Sequence, residues 1–237
     1  MKSFALAALL FLATAATASD RCINYVAEVP SRPGEWAFTS FNPRTKESVA
    51  VAKIGFIPDS VVWPINFGFV TYREQASDEW FKLEWKAGAA PVPISTKYSS
   101  SSPKLQQAVK FWDADSPELV SNRVAPYYYT VTANVPANRE IHVGAFAGCN
   151  WNHFAAPLAW VNTQTGEKKV LYDAPQADST VELEISTADN FILIYGFYVS
   201  EGYDVLDAIV ADLNTGEVLL RIGPRSRAIR WAACPSR

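Results

Sequence analysis

One strand–turn–strand pattern occurs several times along the sequence. The segment AIVADLNTGEVLL (Ala208–Leu220) has two apolar stretches around Asn214–Gly216, which predicts a β-hairpin with a tight turn. LAWVNTQTGEKKVL (Leu158–Leu171) has the same design, and AFTSFNPRTKESVAV (Ala37–Val51) and KFWDADSPELV (Lys110–Val120) are looser copies. The recurrence of one supersecondary unit constrains the architecture more than any single motif does.

The repeated hairpin is compatible with two all-β architectures. In a β-propeller each antiparallel unit forms one blade, and the chain has room for about four or five such units. One or two β-sandwich domains would also contain similar hairpins, because the residues that suit tight turns are few. We therefore expect an all-β fold of antiparallel hairpins, either a small propeller-like array or one or two β-sandwiches.

The patterns of individual segments support the all-β prediction. VELEI (Val181–Ile185) alternates apolar and acidic residues, which predicts a strand with Leu183 and Ile185 toward the core. FILIYGFYV (Phe191–Val199) is apolar throughout, as expected of a strand covered on both faces. The segment Ser102–Trp112 is the one fair candidate for a helix, since a proline stands at its first turn.

The N-terminal segment, residues 1–18, has the features of an export signal. Lys2 provides a positive start, Phe4–Leu12 is a short apolar run, and Ala16–Ala18 is a small-residue cleavage site. We therefore expect a secreted protein whose mature chain, residues 19–237, folds outside the cytosol.

Composition and segment lengths limit the domains and partners. Residues 19–237 are predicted to form a single all-β domain, and the segment 87–104, rich in proline and serine, is the alternative domain boundary. A net charge of −3 argues against a general role in nucleic-acid binding. No uncharged apolar stretch approaches the ~20 residues of a membrane-spanning helix. We expect no nucleic-acid partner and no membrane span, and the sequence leaves the oligomeric state open.

The three cysteines are Cys22, Cys149 and Cys234. Two of three cysteines usually pair in an exported protein. Because the termini of a domain often lie close together, we predict a disulfide between Cys22 and Cys234. The pairing of Cys149 with either of the others remains an alternative, since spacing does not determine connectivity.

The segment around Cys149 contains the best sequence-based candidate for a binding site. Asn150, Trp151, Asn152 and His153 place an indole among side chains that form hydrogen bonds. A sugar ring has an apolar C–H face, which stacks on tryptophan, and a rim of hydroxyls, which suits amides. These four residues are therefore predicted to bind a glycan, unless Trp151 folds back into the core.

The same segment also has residues that bind metals or attack substrates, but their spacing does not favour either role. His142, Cys149 and His153 lack the closely spaced ligand pairs of common zinc sites. No flanking signature supports a cysteine–histidine nucleophile. We therefore predict no metal site, no catalytic residue and no cofactor here, with His142 on one side of a strand.

A basic C-terminal segment is a weaker candidate. Arg225, Arg227 and Arg230 could bind an acidic or sulfated glycan, because guanidinium groups match such anions. Alternatively, these arginines are simply the solvated side chains of an edge strand, where they deter pairing with other chains.

The leading hypothesis is a secreted, non-catalytic recognition protein that binds carbohydrate, as a lectin does. The first alternative is a secreted glycosidase-type hydrolase, which would need a pair of carboxylates across a cleft. Candidate pairs are Glu182 with Glu184, Asp113 with Asp115, and Asp204 with Asp207. The second alternative is a structural component of an extracellular matrix.

Overall fold

The computed structural model describes residues 21–63, 68–77, 79–94, 119–124, 127–131, 134–145, 154–173, 181–198 and 205–236. The predicted export signal, the candidate helix, Cys149 and the segment Asn150–His153 lie outside these ranges, as does most of the alternative boundary at 87–104. The described residues form β-strands and turns and contain no helix, so none that could cross a membrane. The all-β prediction is confirmed.

The strands follow one another along the chain as β1 (Arg21–Glu28), β2 (Trp36–Asn42), β3 (Glu47–Ile54), β4 (Pro58–Val62), β5 (Phe69–Glu74), β6 (Trp80–Glu84), β7 (Val92–Ile94), β8 (Leu119–Val124), β9 (Tyr127–Val131), β10 (Arg139–Ala145), β11 (Phe154–Asn162), β12 (Lys168–Tyr172), β13 (Val181–Ala188), β14 (Phe191–Tyr198), β15 (Val205–Asp212), β16 (Val218–Ile222) and β17 (Ser226–Ala233).

In the described part of the chain these strands form three antiparallel sheets. Sheet I has the order β17-β1-β2-β3, and sheet II has the order β4-β5-β6-β7. Sheet III has the order β16-β15-β14-β13-β11-β10-β9-β8, with β12 attached to β11. The strand β11 changes partner along its length: Phe154 and Ala155 pair with β13, whereas the stretch Leu158–Val161 pairs with β12. We therefore divide sheet III into half IIIa (β8 to β12) and half IIIb (β13 to β16).

The repeated hairpin turns are held by local side-chain hydrogen bonds. In the turns after β2, β11 and β15, the side-chain oxygen Oδ1 of Asn42, Asn162 or Asp212 accepts a hydrogen bond from the backbone N–H two residues on. This arrangement is an Asx turn, and it closes the loop without help from the rest of the protein. The predicted likeness of the three segments thus reflects a shared turn structure.

The same turns each need one residue with left-handed backbone. Gly166 (φ 74°) and Gly216 (φ 66°) meet this need at no steric cost, and Lys46 (φ 59°) takes the equivalent position in the turn after β2. The third copy looked looser in the sequence because a lysine stands where the other two have glycine.

The two ends of the described chain are joined in sheet I. The C-terminal strand β17 pairs with the N-terminal strand β1 from Arg21↔Ala233 to Ala27↔Ser226. A disulfide links Cys22 to Cys234, whose Cα atoms are 5.0 Å apart. The predicted pairing of these cysteines is confirmed.

Three hydrophobic clusters join the sheets to one another. Cluster I–II, around Phe38 and Tyr72, lies between sheets I and II. Cluster I–IIIb, around Phe41 and Leu193, lies between sheet I and half IIIb, and cluster IIIa–IIIb surrounds Trp160. Among the described residues no cluster joins half IIIa to sheet II. The sheets therefore form an open array, and the closed ring of a propeller is not formed by this part of the chain.

The strands of half IIIb explain two sequence patterns. Leu183 and Ile185 on β13 are buried in cluster IIIa–IIIb, as the alternation predicted. On β14, Ile192 and Ile194 face cluster IIIa–IIIb whereas Leu193 faces cluster I–IIIb. The continuous apolar sequence of β14 is thus explained, because clusters cover this strand on both faces.

Four tryptophans donate their indole N–H groups across the gaps between sheets. Trp160 of half IIIa donates to the backbone oxygen of Leu213 in half IIIb, at 2.8 Å. Trp63 and Trp85 donate from sheet II to backbone oxygens of β17, to Ala228 O at 2.6 Å and to Ala233 O at 2.9 Å. Trp231 of β17 donates to Ser186 Oγ in half IIIb at 3.1 Å. Each interface therefore combines a large apolar side chain with a directional hydrogen bond.

Alanine at Gly216 should destabilise the protein more than alanine at Gly166. Both substitutions force a side chain into left-handed backbone, which costs about 1–2 kcal/mol. At Gly216 the new Cβ would also lie 2.6 Å from Cδ2 of Trp160, whereas at Gly166 nothing lies within 4 Å. We expect Gly216→Ala to lower the free energy of unfolding by about 1–3 kcal/mol more than Gly166→Ala does. Urea unfolding of the two variants measures the difference, and equal losses would contradict the packing of Trp160 on this turn.

Loss of the disulfide should destabilise the protein strongly. The Cys22→Ser/Cys234→Ser variant releases a cross-link between residues 212 positions apart, and such a loss costs about 2–5 kcal/mol. The expected result is a lower urea midpoint followed by tryptophan fluorescence. The wild type treated with a reducing agent is the control and should match the variant; an unchanged midpoint on reduction would contradict the bond.

Candidate functional site

The structure describes only some of the site residues that the sequence analysis predicted. Asn150, Trp151, Asn152 and His153 lie outside the described residues, and the prediction that they bind a glycan stays a prediction. Arg225 lies in the turn between β16 and β17, and Arg227 and Arg230 lie on β17.

A groove of about 550 Å³ lies where sheet I meets the turn between β16 and β17. Its residues come from β1, β2, the loop between these two strands, and the segment Arg221–Arg225. The volume is within the range of roughly 300–1,000 Å³ that is common for small-molecule sites. The groove is therefore the candidate functional site of the described chain.

The groove is deepest where two small side chains, one on β1 and one on β2, lie side by side in its floor. Ala27 pairs with Ala37 in the strand ladder, and Tyr25 pairs with Thr39. Residues directly opposite in an antiparallel pair point to the same face of the sheet. All four residues line the groove, so the two alanines leave a depression beside the tyrosine ring and the threonine hydroxyl.

Prolines form the walls. Pro30 and Pro33 stand in the loop between β1 and β2, and Pro224 stands in the turn between β16 and β17. Proline has a fixed φ, which reduces the freedom of both segments. Hydrogen bonds from Val29 N to Glu35 O and from Glu28 N to Arg225 O hold the loop and the turn in place. The groove is thus bounded by restrained backbone.

Tyr25 is anchored at the inner side of the groove. Its ring packs against cluster I–IIIb. Burial raises the pKa of its hydroxyl, and hydrogen bonds with Ser48 and Thr39 act in the opposite direction. The phenol therefore stays protonated at neutral pH and provides a rigid aromatic surface with a polar end.

Glu28 and Arg225 neutralise each other at one end of the groove. Arg225 Nη1 donates to Glu28 Oε2 at 2.7 Å, and Gly34 N donates to Glu28 Oε1 at 2.9 Å. The hydrogen bond from Gly34, together with Arg225, lowers the pKa of Glu28. Glu28 is therefore a carboxylate at neutral pH, and Arg225 is its counter-ion.

Arg221 is the other cation of the groove, and its environment differs from that of Arg225. It is exposed on β16, between the buried Ile222 and the half-buried Leu220. The structure gives its guanidinium no hydrogen bond or ion pair with any residue in the described ranges. On β16 it lies opposite Ile209, on the face of half IIIb that carries cluster IIIa–IIIb, whereas Ile222 is on the face toward sheet I.

Arg227 makes different contacts from Arg225, and anion binding by the predicted arginines stays a prediction. The Arg227 guanidinium lies 5.6 Å from the centre of the Trp36 ring, and its Nη1 donates to Gln75 Oε1 at 3.4 Å. These contacts belong to the side of sheet I that faces sheet II. Of the predicted set, only Arg225 lines the groove, and Arg230 is exposed elsewhere on β17.

Other predicted polar groups have local partners. His142 Nε2 lies 2.6 Å from Glu140 Oε2, two residues away on β10. The hydroxyl of Tyr172 donates to Asp207 Oδ1. In the ranges that the structure describes, no group of three or more histidine, cysteine, aspartate or glutamate residues is arranged to hold a metal ion.

Sequence reasoning missed the groove, and above all Tyr25 and Arg221. A weak signal was present, because VPSRPGE (Val29–Glu35) and IGPRS (Ile222–Ser226) are both proline-containing turns. The two segments are far apart in the sequence, and nothing in either of them shows that they meet.

Comparison with known proteins does not narrow the function. No protein-family model matches the chain, and no curated protein matches it.

Proposed function

We propose that this protein is exported and binds carbohydrate without transforming it, and that the groove at Tyr25 is the binding site. The export signal predicted at residues 1–18 supports the location, as does the disulfide, because disulfides persist in oxidising compartments. Carbohydrate recognition rests on the structure of the groove.

The observation that carries the proposal is the combination of surfaces in the groove. A sugar ring requires an apolar surface for its C–H face and polar groups for its hydroxyls. Ala27 and Ala37 leave room beside the Tyr25 ring for the C–H face of the sugar, and the Thr39 hydroxyl serves its hydroxyl groups. The restrained walls reduce the entropic cost of ordering the site when a ligand binds.

The segment Asn150–His153 is a second candidate site for the same function, and one experiment separates the two. Ala27→Leu adds three carbon atoms to the floor of the groove, and Trp151→Ala removes the indole from the segment. Ala76→Leu, in the exposed turn between β5 and β6, is the matched control for an added leucine.

We expect a glycan array to identify at least one ligand of the wild type, and Ala27→Leu to weaken its binding at least about tenfold by steric exclusion. Ala76→Leu and Trp151→Ala should bind as the wild type does, by titration calorimetry. Loss of binding in Trp151→Ala alone would place the site in the segment Asn150–His153. The absence of any glycan ligand would contradict the proposed function.

A further inference from the structure

We infer that the saccharide bound in the groove is uncharged and presents a methyl group to the floor at Ala27 and Ala37, as a 6-deoxyhexose or an N-acetylhexosamine does. The inference rests on the proposed function and specifies its ligand. It is carried by the directions of the side chains around the groove and by the few polar atoms of its floor.

The floor of the groove continues the face of sheet I that packs against half IIIb. Three pairs of opposite residues on β1 and β2 share this face: Ile23 with Phe41, Tyr25 with Thr39, and Ala27 with Ala37. The first pair is buried in cluster I–IIIb, and Tyr25 packs against that cluster. The second and third pairs line the groove. The groove is therefore the open end of an apolar interface between two sheets.

The charged side chains in the described lining of the groove are directed away from this floor. Glu28 lies opposite Trp36 in the ladder, on the face of sheet I toward sheet II, and it holds Arg225 in an ion pair at 2.7 Å. Arg221 lies opposite Ile209, on the face of half IIIb that carries cluster IIIa–IIIb. A charged group of a ligand would lose water over the floor without gaining a counter-ion, and such a loss weakens binding. The floor therefore favours an uncharged ligand.

The polar side-chain atoms of the floor lie beside the alanines. They are the Tyr25 phenol and the Thr39 hydroxyl, which hydrogen-bond to each other and keep capacity for a hydroxyl of the sugar. A primary alcohol placed over Ala27 and Ala37 would lose its hydrogen bonds to water, because neither alanine side chain replaces them. A methyl group in the same place loses no hydrogen bond and gains apolar contact. The depression between the alanines therefore suits a methyl group.

A series of trisaccharides that differ at one position of the terminal sugar tests the inference. The terminal sugar is the hexose that binds best on the glycan array, its 6-deoxy form, or its uronic acid, so that the C6 position carries an alcohol, a methyl group or a carboxylate. A fourth probe ends in the corresponding N-acetylhexosamine. This probe distinguishes an acetamido methyl from a methyl at C6.

With the full-length, disulfide-intact protein, calorimetry should show at least one methyl-bearing probe binding about tenfold more tightly than the parent hexose probe. The uronic-acid probe should bind more weakly than the parent, even at low salt. Binding of the methyl-bearing probe should not change as salt increases, because no ion pair forms with the ligand.

A substitution in the floor should change this preference without abolishing binding. Ala27→Ser adds one oxygen atom to the depression and so offers a hydrogen bond to the alcohol of the parent probe. We expect the preference for the methyl-bearing probe to fall from about tenfold to about threefold or less. Ala76→Ser, in the exposed turn between β5 and β6, is the matched control and should keep the full preference. Damage to the fold would weaken both probes together and leave their ratio unchanged.

The outcomes separate the inference from the function on which it rests. If the parent hexose probe binds as tightly as both methyl-bearing probes, or if the uronic acid binds most tightly, the inference is wrong and carbohydrate binding still stands. An unchanged preference in Ala27→Ser would also overturn the inference, because the methyl group would then lie elsewhere. Binding of no saccharide of any kind would overturn the proposed function itself.

Discussion

The hydrogen bonds that tryptophan side chains form between sheets organise this fold. Trp63 and Trp85 donate from sheet II to β17, Trp231 donates from β17 to half IIIb, and Trp160 donates from half IIIa to half IIIb. A buried indole contributes a large apolar surface, but its N–H must find an acceptor. Apolar packing alone would allow neighbouring sheets to slide, whereas each N–H selects one acceptor and so one alignment. The open array of sheets therefore has defined interfaces.

The strand β17 is central to these interfaces, and it also makes the candidate site possible. It supplies the acceptors for Trp63 and Trp85, it carries Trp231, and it pairs with β1 beside the Cys22–Cys234 bond. The groove has one wall from the β1–β2 loop and one from the turn that leads into β17. The two walls meet only because the ends of the described chain share sheet I. The disulfide stabilises this sheet from the other end of the β1–β17 ladder, where Cys22 pairs with Ala232.

Local features of the chain were predictable, and long-range features mostly were not. The hairpins after β11 and β15 were recognisable because Asn162 and Asp212 close their turns with hydrogen bonds to nearby backbone. The disulfide was predictable because the protein is expected in an oxidising compartment and because Cys22 and Cys234 lie near opposite ends of the sequence. The sequence did not show that Arg225 has an ion-pair partner, because that partner, Glu28, is 197 residues away in the sequence. Arg225 pairs with Glu28, whereas Arg227 lies over Trp36 on the side of sheet I that faces sheet II, and anion binding by these arginines stays a prediction.

The strands and turns could be predicted from the sequence because alternation of polarity and Asx turns act between residues close together in the chain. The pairing of Cys22 with Cys234 could be predicted because three cysteines leave few options. The facing of the sheets, the neutralisation of Arg225 and the position of the groove became known from the folded structure, because burial and ion pairing depend on every element that packs against a residue. In this protein those elements come from opposite ends of the chain.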